Sequence, residues 1–287
     1  MSEKDTDAVT GIETTGHEWD GIKELNNPLP RWWLWTFYAT IVWAIGYVIL
    51  YPAFPISGTK GALGYSSREA VHEKIEAAKQ AQAGLLDKIE TLSLAEIRED
   101  SDAFQFAVAG GRAAYAVNCS QCHGSGAQGS PGYPNLNDDV WLWGGGLEDI
   151  HTTLLHGIRY DADEDTRFSE MPAFGRDQIL QSGEIRATAH FVRKLAGLEH
   201  DAARAEAGAP IYEENCAACH QSDGAGDPEQ GAPNLKDAIW HYGETVDGIV
   251  AQVNNPRHGV MPGWKDRLDA ATLKQLAVYV HSLGGGE

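Results

Sequence analysis

All four cysteines of the chain fall in two copies of one short pattern, "YAVNCSQCH" from Tyr115 to His123 and "YEENCAACH" from Tyr212 to His220. The likeness runs beyond the cysteines. Gly111, Tyr115, Asn118, Cys119, Cys122 and His123 correspond one for one with Gly208, Tyr212, Asn215, Cys216, Cys219 and His220 at a constant offset. Downstream, "PNLNDDVW" at Pro134 answers "PNLKDAIW" at Pro233, and "MPAFG" at Met171 answers "MPGW" at Met261. Ile185, Phe191, Val192 and Leu195 then match Leu273, Tyr279, Val280 and Leu283. Self-similarity with order and spacing both kept is an internal duplication, so most of the chain must be built twice from one plan.

Each repeat opens with a helix that ends near its cysteines and closes with another. Phe104, Val108, Gly111 and Tyr115 mark one face of the first opening helix, and Leu273, Leu276, Val280 and Leu283 one face of the last closing helix. Glycine inside a helix is costly, so Gly111 and Gly208 need a reason, and close approach of a crossing helix supplies one. The expectation is that the first and last helices of each repeat pack together there. Neither repeat alternates as strands do, and the fold class is all-α.

Ahead of the repeats, "WWLWTFYATIVWAIGYVILY" from Trp32 to Tyr51 has no charged residue and is about as long as a bilayer-spanning helix must be. Pro28, Pro30, Pro52 and Pro55 bracket it, and Trp32, Trp33 and Trp35 at one end and Tyr47 and Tyr51 at the other suit the interfacial belts. A leader this long before so long an apolar run reads as an uncleaved anchor, not a signal peptide. Lys23 and Arg31 on one side nearly match Lys60 and Arg68 on the other, so charge alone barely orients it. Pro52 to Gly64 reads as a linker. Beyond it, Ser66 with Glu69 and Ser93 with Glu96 form capping boxes around a helical spacer that would hold the next domain off the membrane. The segments are then 1–31 as a tail, 32–51 as transmembrane helix, 52–101 as linker and spacer, and 102–198 and 199–287 as the two repeats. The net charge of −19 leaves no segment basic, which argues against nucleic acid as a partner. The acidic surface reads as solubility before it reads as steering of a basic protein partner.

A disulfide, a zinc site and covalently attached haem compete for the Cys-x-x-Cys-His pattern. A redox dithiol needs neither the adjacent histidine nor a downstream methionine, and a zinc knuckle keeps its cysteine pairs closer than Cys122 and Cys216 lie. Two thiols one helical turn apart can add to the two vinyl groups of a porphyrin, with the next histidine placed to ligate the iron. The expectation is two covalently bound haem c groups, on Cys119, Cys122 and His123 and on Cys216, Cys219 and His220.

Apart from Met1, the only methionines are Met171 and Met261, each before a proline at an equivalent place in its repeat. Such sparing, symmetric use points to the sixth ligand, and thioether raises the haem potential and closes the iron to substrates. The rival histidines, His151, His156, His190, His241 and His258, fall at no matching positions. Spacing alone cannot prove whether each methionine serves its own repeat; ligation within the repeat is the simpler arrangement. "DADED" at Asp161 to Asp165 imitates a calcium loop, but Thr166 replaces the needed glycine and Pro172 the bidentate glutamate, so it reads as a solvated acidic loop. Arg159, Trp141 and Trp240 could meet the porphyrin edge but are equally ordinary core and surface residues.

Through Gly-x-x-x-Tyr-x-x-x-Cys-x-x-Cys-His, the Met-Pro pairs and the closing aromatic helix, the repeats resemble class I cytochrome c domains. With the stretch from Glu18 to Pro55 included, the chain resembles the membrane-anchored dihaem subunit III of cbb3-type cytochrome c oxidases; Asn-Pro-Leu-Pro-Arg-Trp-Trp at the head of the anchor singles that family out. The resemblance implies attachment to the bacterial inner membrane, with the N-terminal tail cytoplasmic and the haem domains periplasmic. It also implies an electron relay from a soluble cytochrome c or a cytochrome bc complex to the monohaem and catalytic subunits of the oxidase. No acid, base or nucleophile is needed, and no residue of the chain reduces oxygen. An anchored donor to another periplasmic oxidoreductase, or a dihaem peroxidase, are the alternatives; the peroxidase needs a releasable ligand where a methionine is available to both haems.

Overall fold

The computed structural model of the chain describes residues 5–51 and 60–286 and falls into two compact units, Met1–Ala81 and Gln82–Glu287. In the first, a feature the sequence reading missed precedes the anchor: strands β1 (Thr14–Trp19) and β2 (Ile22–Leu25) form an antiparallel hairpin. Its two-residue loop, Asp20-Gly21, takes positive φ at both positions, 50° and 83°, as the turn that suits strand twist requires. Helix α1 (Arg31–Leu50) follows, capped by Pro30 and with none of its residues buried. It is long and apolar enough to cross a membrane. Along it Trp33 stacks on Phe37 at 5.4 Å, Trp43 on Tyr47 at 5.3 Å and Tyr47 on Tyr51 at 4.9 Å. The amides of Ala62 and Leu63 bond to the carbonyls of Ile49 and Leu50, two of the groups a helix end leaves unpaired. Pro52, Pro55 and most of the proposed linker lie outside the described residues.

Helix α2 (Ser67–Thr91) begins where the Ser66 hydroxyl accepts from the Glu69 amide at 3.3 Å. In the second unit its last turn is closed by a lysine far along the chain: Lys274 Nζ donates to the carbonyls of Ile89, Glu90 and Leu92 at 3.2, 2.8 and 2.6 Å. The reciprocal capping box of Ser93 and Glu96 starts α3 (Leu94–Glu99), and Asp100 caps α4 (Ser101–Asn118). The further helices are α5 (Ser120–His123), α6 (Leu147–His156), α7 (Ser182–Leu195), α8 (Ala202–Asn215), α9 (Ala217–His220), α10 (Val246–Asn254) and α11 (Ala270–His281). The second unit is thus helical, as the lack of alternation in the repeats implied.

The pairing of these helices corrects the expectation that each repeat closes on itself. The opening helix of the first repeat, α4, packs on the closing helix of the second, α11, and α7 of the first repeat packs on α8 of the second. One core joins Ala103, Ala107, Tyr115, Ile150 and Leu154 to Leu273, Leu276 and Val280. The other joins Phe174, Ile185 and Val192 to Tyr212, Ile249 and Val253. Each core therefore takes its cysteine motif and middle helix from one repeat and its closing helix from the other.

The glycines mark the crossings, as expected, although the partner helix differs. A Cβ on Gly111 would sit 2.6 Å from Tyr279 Cβ and 2.7 Å from the Gln275 carbonyl carbon on α11. One on Gly208 would sit 2.9 Å from the Thr188 amide nitrogen on α7. Side-chain carbons do not approach so closely, and only glycine admits the crossing.

Candidate haem-binding sites

Both motifs are held alike. Cys119 ends α4 and Cys216 ends α8, and a short helical turn follows in which His123 and His220 donate their amides to the Cys119 and Cys216 carbonyls at 3.0 and 2.9 Å. The turn gathers both thiols and the imidazole at one helix end. Asn118 and Asn215 tie back to the Ala114 and Ile211 carbonyls, each at 2.9 Å. The buried Tyr115 and Tyr212 donate to the Gly124 and Gln221 carbonyls at 2.9 and 2.8 Å, anchoring the chain just past each histidine. Each tyrosine ring also meets a closing-helix aromatic, Tyr279 at 5.5 Å and Phe191 at 5.1 Å.

His123 Nδ1 lies 3.1 Å from the Pro134 carbonyl and His220 Nδ1 3.1 Å from the Pro233 carbonyl. A carbonyl only accepts, so in both rings Nδ1 carries the proton and Nε2 keeps its lone pair. Burial holds both imidazoles below the usual histidine pKa, which favours the neutral, ligating form. The two proline carbonyls belong to the matching "PNL" stretches, a role for that motif that the sequence reading did not assign. All four cysteines are free of one another, and burial pushes the Cys119 and Cys216 thiols up to about 11.

The methionines change places. Met261 packs against the core that contains Tyr115 and Cys119, whereas Met171 packs against the one that contains Tyr212 and Cys216. Met261 thus shares one core with Cys119, and Met171 shares the other with Cys216. Among the rival histidines, His156 Nδ1 lies 3.1 Å from Asp163 and His190 Nδ1 accepts the Asp201 amide at 3.1 Å. Trp141 gives its indole N–H to the Gly285 carbonyl. Unpaired thiols, an imidazole with one nitrogen already bonded, and a nearby thioether are the donor set that a c-type haem takes.

Three family models match in succession: the N-terminal domain of cytochrome oxidase-cbb3, FixP, over residues 11–58, cytochrome c over 108–196, and cytochrome c oxidase, cbb3-type, subunit III over 203–280. The chain is 54% identical over 288 residues to the cbb3-type cytochrome c oxidase subunit FixPc of Rhizobium leguminosarum bv. viciae, covering 100% of both chains. The chain belongs to the cbb3-type oxidase subunit III family. Other members include the FixP subunit of Rhizobium meliloti, 53% identical over 99% of this chain and 98% of that one, and the CcoP subunit of Cereibacter sphaeroides, 51% identical over the whole of both. As a cytochrome c of this family the chain binds haem c, and the first matched region spans both the hairpin and α1.

The "DADED" segment was expected to be a solvated loop, but its middle carboxylate is not solvated. The Asp163 side chain is 4% exposed and bonds to His156 Nδ1 at 3.1 Å and to Lys265 Nζ at 2.8 Å. Hydrogen bonding to Lys265 in the first place pulls its pKa down to about 2. His156, Asp163 and Asp165 form a cluster, and the Lys265 ammonium is paired with Asp163.

Proposed function

We propose that this chain is a membrane-anchored dihaem electron relay of a cbb3-type oxidase. Electrons enter from a soluble cytochrome c or a cytochrome bc complex and leave to the monohaem and oxygen-reducing subunits. The observation that carries the reading is the pairing in each core of a His whose Nδ1 is already bonded with a methionine. A His and Met pair leaves no coordination position for a substrate, which favours electron transfer over peroxidase chemistry. Bound there, each haem would supply one-electron redox chemistry; the chain's part is to hold it, tune it and dock partners.

Two haems are carried covalently in this reading, one on Cys119 and Cys122 and one on Cys216 and Cys219. The exchanged cores support a crossed assignment: His123 with Met261, and His220 with Met171. α1 spans the inner membrane, with residues 1–31 cytoplasmic and the haem-bearing unit periplasmic, where thioether attachment takes place in this family. The relatives' full-length agreement, anchor included, favours the oxidase over another periplasmic partner.

Purification from detergent extract tests this. The chain should bring with it subunits able to reduce oxygen, and the denatured polypeptide should keep two haems by mass. Replacing Trp32 to Tyr51 by a Leu/Ala helix of equal length should keep both haems and weaken that association, because no residue of α1 is buried and its aromatic side chains can pack on neighbouring helices. Purification without any oxygen-reducing partner would overturn the oxidase assignment.

A further inference from the structure

The methionines reach their cores at the ends of two segments that cross between them, and one side chain bonds to both. Arg159 Nε donates to the Gly259 carbonyl at 2.7 Å, two residues before Met261, and its NH1 donates to the Ser169 carbonyl at 2.9 Å, two residues before Met171. The guanidinium is suited to this because its donors are fixed in one plane and point in different directions. The backbone of Arg159 itself is held at φ 51°, a left-handed conformation unusual for a residue with a side chain.

The surrounding bonds hold that conformation in place. The Arg159 amide bonds to the Arg167 carbonyl at 2.9 Å, and the Arg167 amide to the Gly157 carbonyl at 3.2 Å. Arg167 is in turn pinned to Asp149 Oδ1 at 3.0 Å. On one side, Ile158 and Met261 exchange backbone bonds at 2.9 and 3.0 Å, and Asp163 holds Lys265. The Met171 segment has its own separate tie, the Arg176 amide to the Asn254 carbonyl at 2.9 Å. Arg176 also reaches Asn255 Oδ1 at 3.2 Å, farther back on the Met261 stretch, whereas Arg159 bonds to the carbonyls two residues before each methionine.

We infer that Arg159 is a shared positioning residue for both axial methionines, so that its loss loosens both haem sites together. This rests on the reading that Met171 and Met261 are ligands. Arg159 is not a ligand in this reading; it acts through the two segments.

The test uses the full-length dihaem protein in detergent. Variants R159Q and R159K are compared with D163N, M171H and M261H by the methionine–iron charge-transfer band of the ferric form, by redox titration, and by carbon monoxide binding to the ferrous form. R159Q should speed carbon monoxide binding at both haems by about tenfold or more, the change in open population that losing one hydrogen bond to a charged group carries. It should also weaken the band for both. R159K, a point donor that reaches one carbonyl at a time, should fall between R159Q and the native chain. D163N should affect one haem only.

R159K keeps the assay usable if R159Q folds poorly. Native-like band, potentials and carbon monoxide binding in folded R159Q and R159K would overturn the inference, as would a change confined to one haem. If M171H and M261H also left spectra and potentials unchanged, the ligand reading itself would fall; if those two changed and the Arg159 variants did not, only the clamp would.

Discussion

Replacing Gly208 or Gly111 by alanine tests the crossed packing where it is tightest. In Gly111→Ala the new Cβ would start 2.6 Å from Tyr279 Cβ, with the Gln275 carbonyl oxygen closer still, and ordinary contact begins at 3.4 Å, so α4 and α11 must part by at least about 0.8 Å. The obstacle on α11 includes backbone, which cannot swing aside as a side-chain tip would. A buried leucine-sized side chain makes about 40–60 contacts of ~0.1–0.2 kcal/mol, and a gap of this size forfeits a quarter or more of them. For one such residue, Leu276, that is a loss of about 2 kcal/mol. Alanine in a helix interior returns about 1 kcal/mol relative to glycine, so the net loss is about 1 kcal/mol or more. Guanidinium unfolding followed by circular dichroism reads the stability, and the methionine–iron band reads the pocket. Gly111→Ala should weaken the haem of His123 and Met261, and Gly208→Ala that of His220 and Met171. The control is Gly84→Ala in α2, where a Cβ meets nothing within 4 Å and stability should rise by up to about 1 kcal/mol. Gly111→Ala and Gly208→Ala proteins as stable as the native chain, with intact bands, would refute the close approach.

Two further outcomes follow from single groups. Asp163 faces Lys265, His156 and Asp165, and its carboxyl is held down to about 2, so its hold on the Met261 segment is complete above the ordinary carboxylate range. That hold is lost only as pH falls toward about 2; an acid titration of the methionine–iron band should show one haem affected in this range, with D163N altering it already at neutral pH. Lys274→Met removes three bonds to carbonyls at and just past the end of α2 and should cost about 1–3 kcal/mol in guanidinium unfolding, with haem content unchanged.

Much of this arrangement is legible in the sequence. The duplicated motif, the paired methionines and the need for glycine at Gly111 and Gly208 each rest on a local requirement that names its own residue types. The exchange between repeats could not be read, because the contacting surfaces are equivalent. Tyr115 meets Tyr279 and Tyr212 meets Phe191, yet Tyr115 with Phe191 would satisfy the same spacing. What separates the repeats is the longer stretch between α6 and Met171 than between α10 and Met261, and that stretch holds Arg159 and Asp163. Arg159 was set aside because a lone arginine carries no pattern; its role depends on two carbonyls remote from each other in sequence. The β1–β2 hairpin did have a signal, Asp20-Gly21 between polar and aromatic residues.

Single-haem proteins separate crossed ligation from ligation within each repeat. In a chain with Cys119→Ser and Cys122→Ser, only the haem on Cys216 and Cys219 remains, and in the reciprocal chain only the other. Each is combined with M171H or M261H, and the potential of the one remaining haem is measured. With crossed ligation, M171H lowers the potential of the Cys216–Cys219 haem while M261H leaves it in place, and the reciprocal chain responds to M261H alone, because imidazole stabilises ferric iron better than thioether does. The opposite pattern, each haem answering to the methionine of its own repeat, would contradict it.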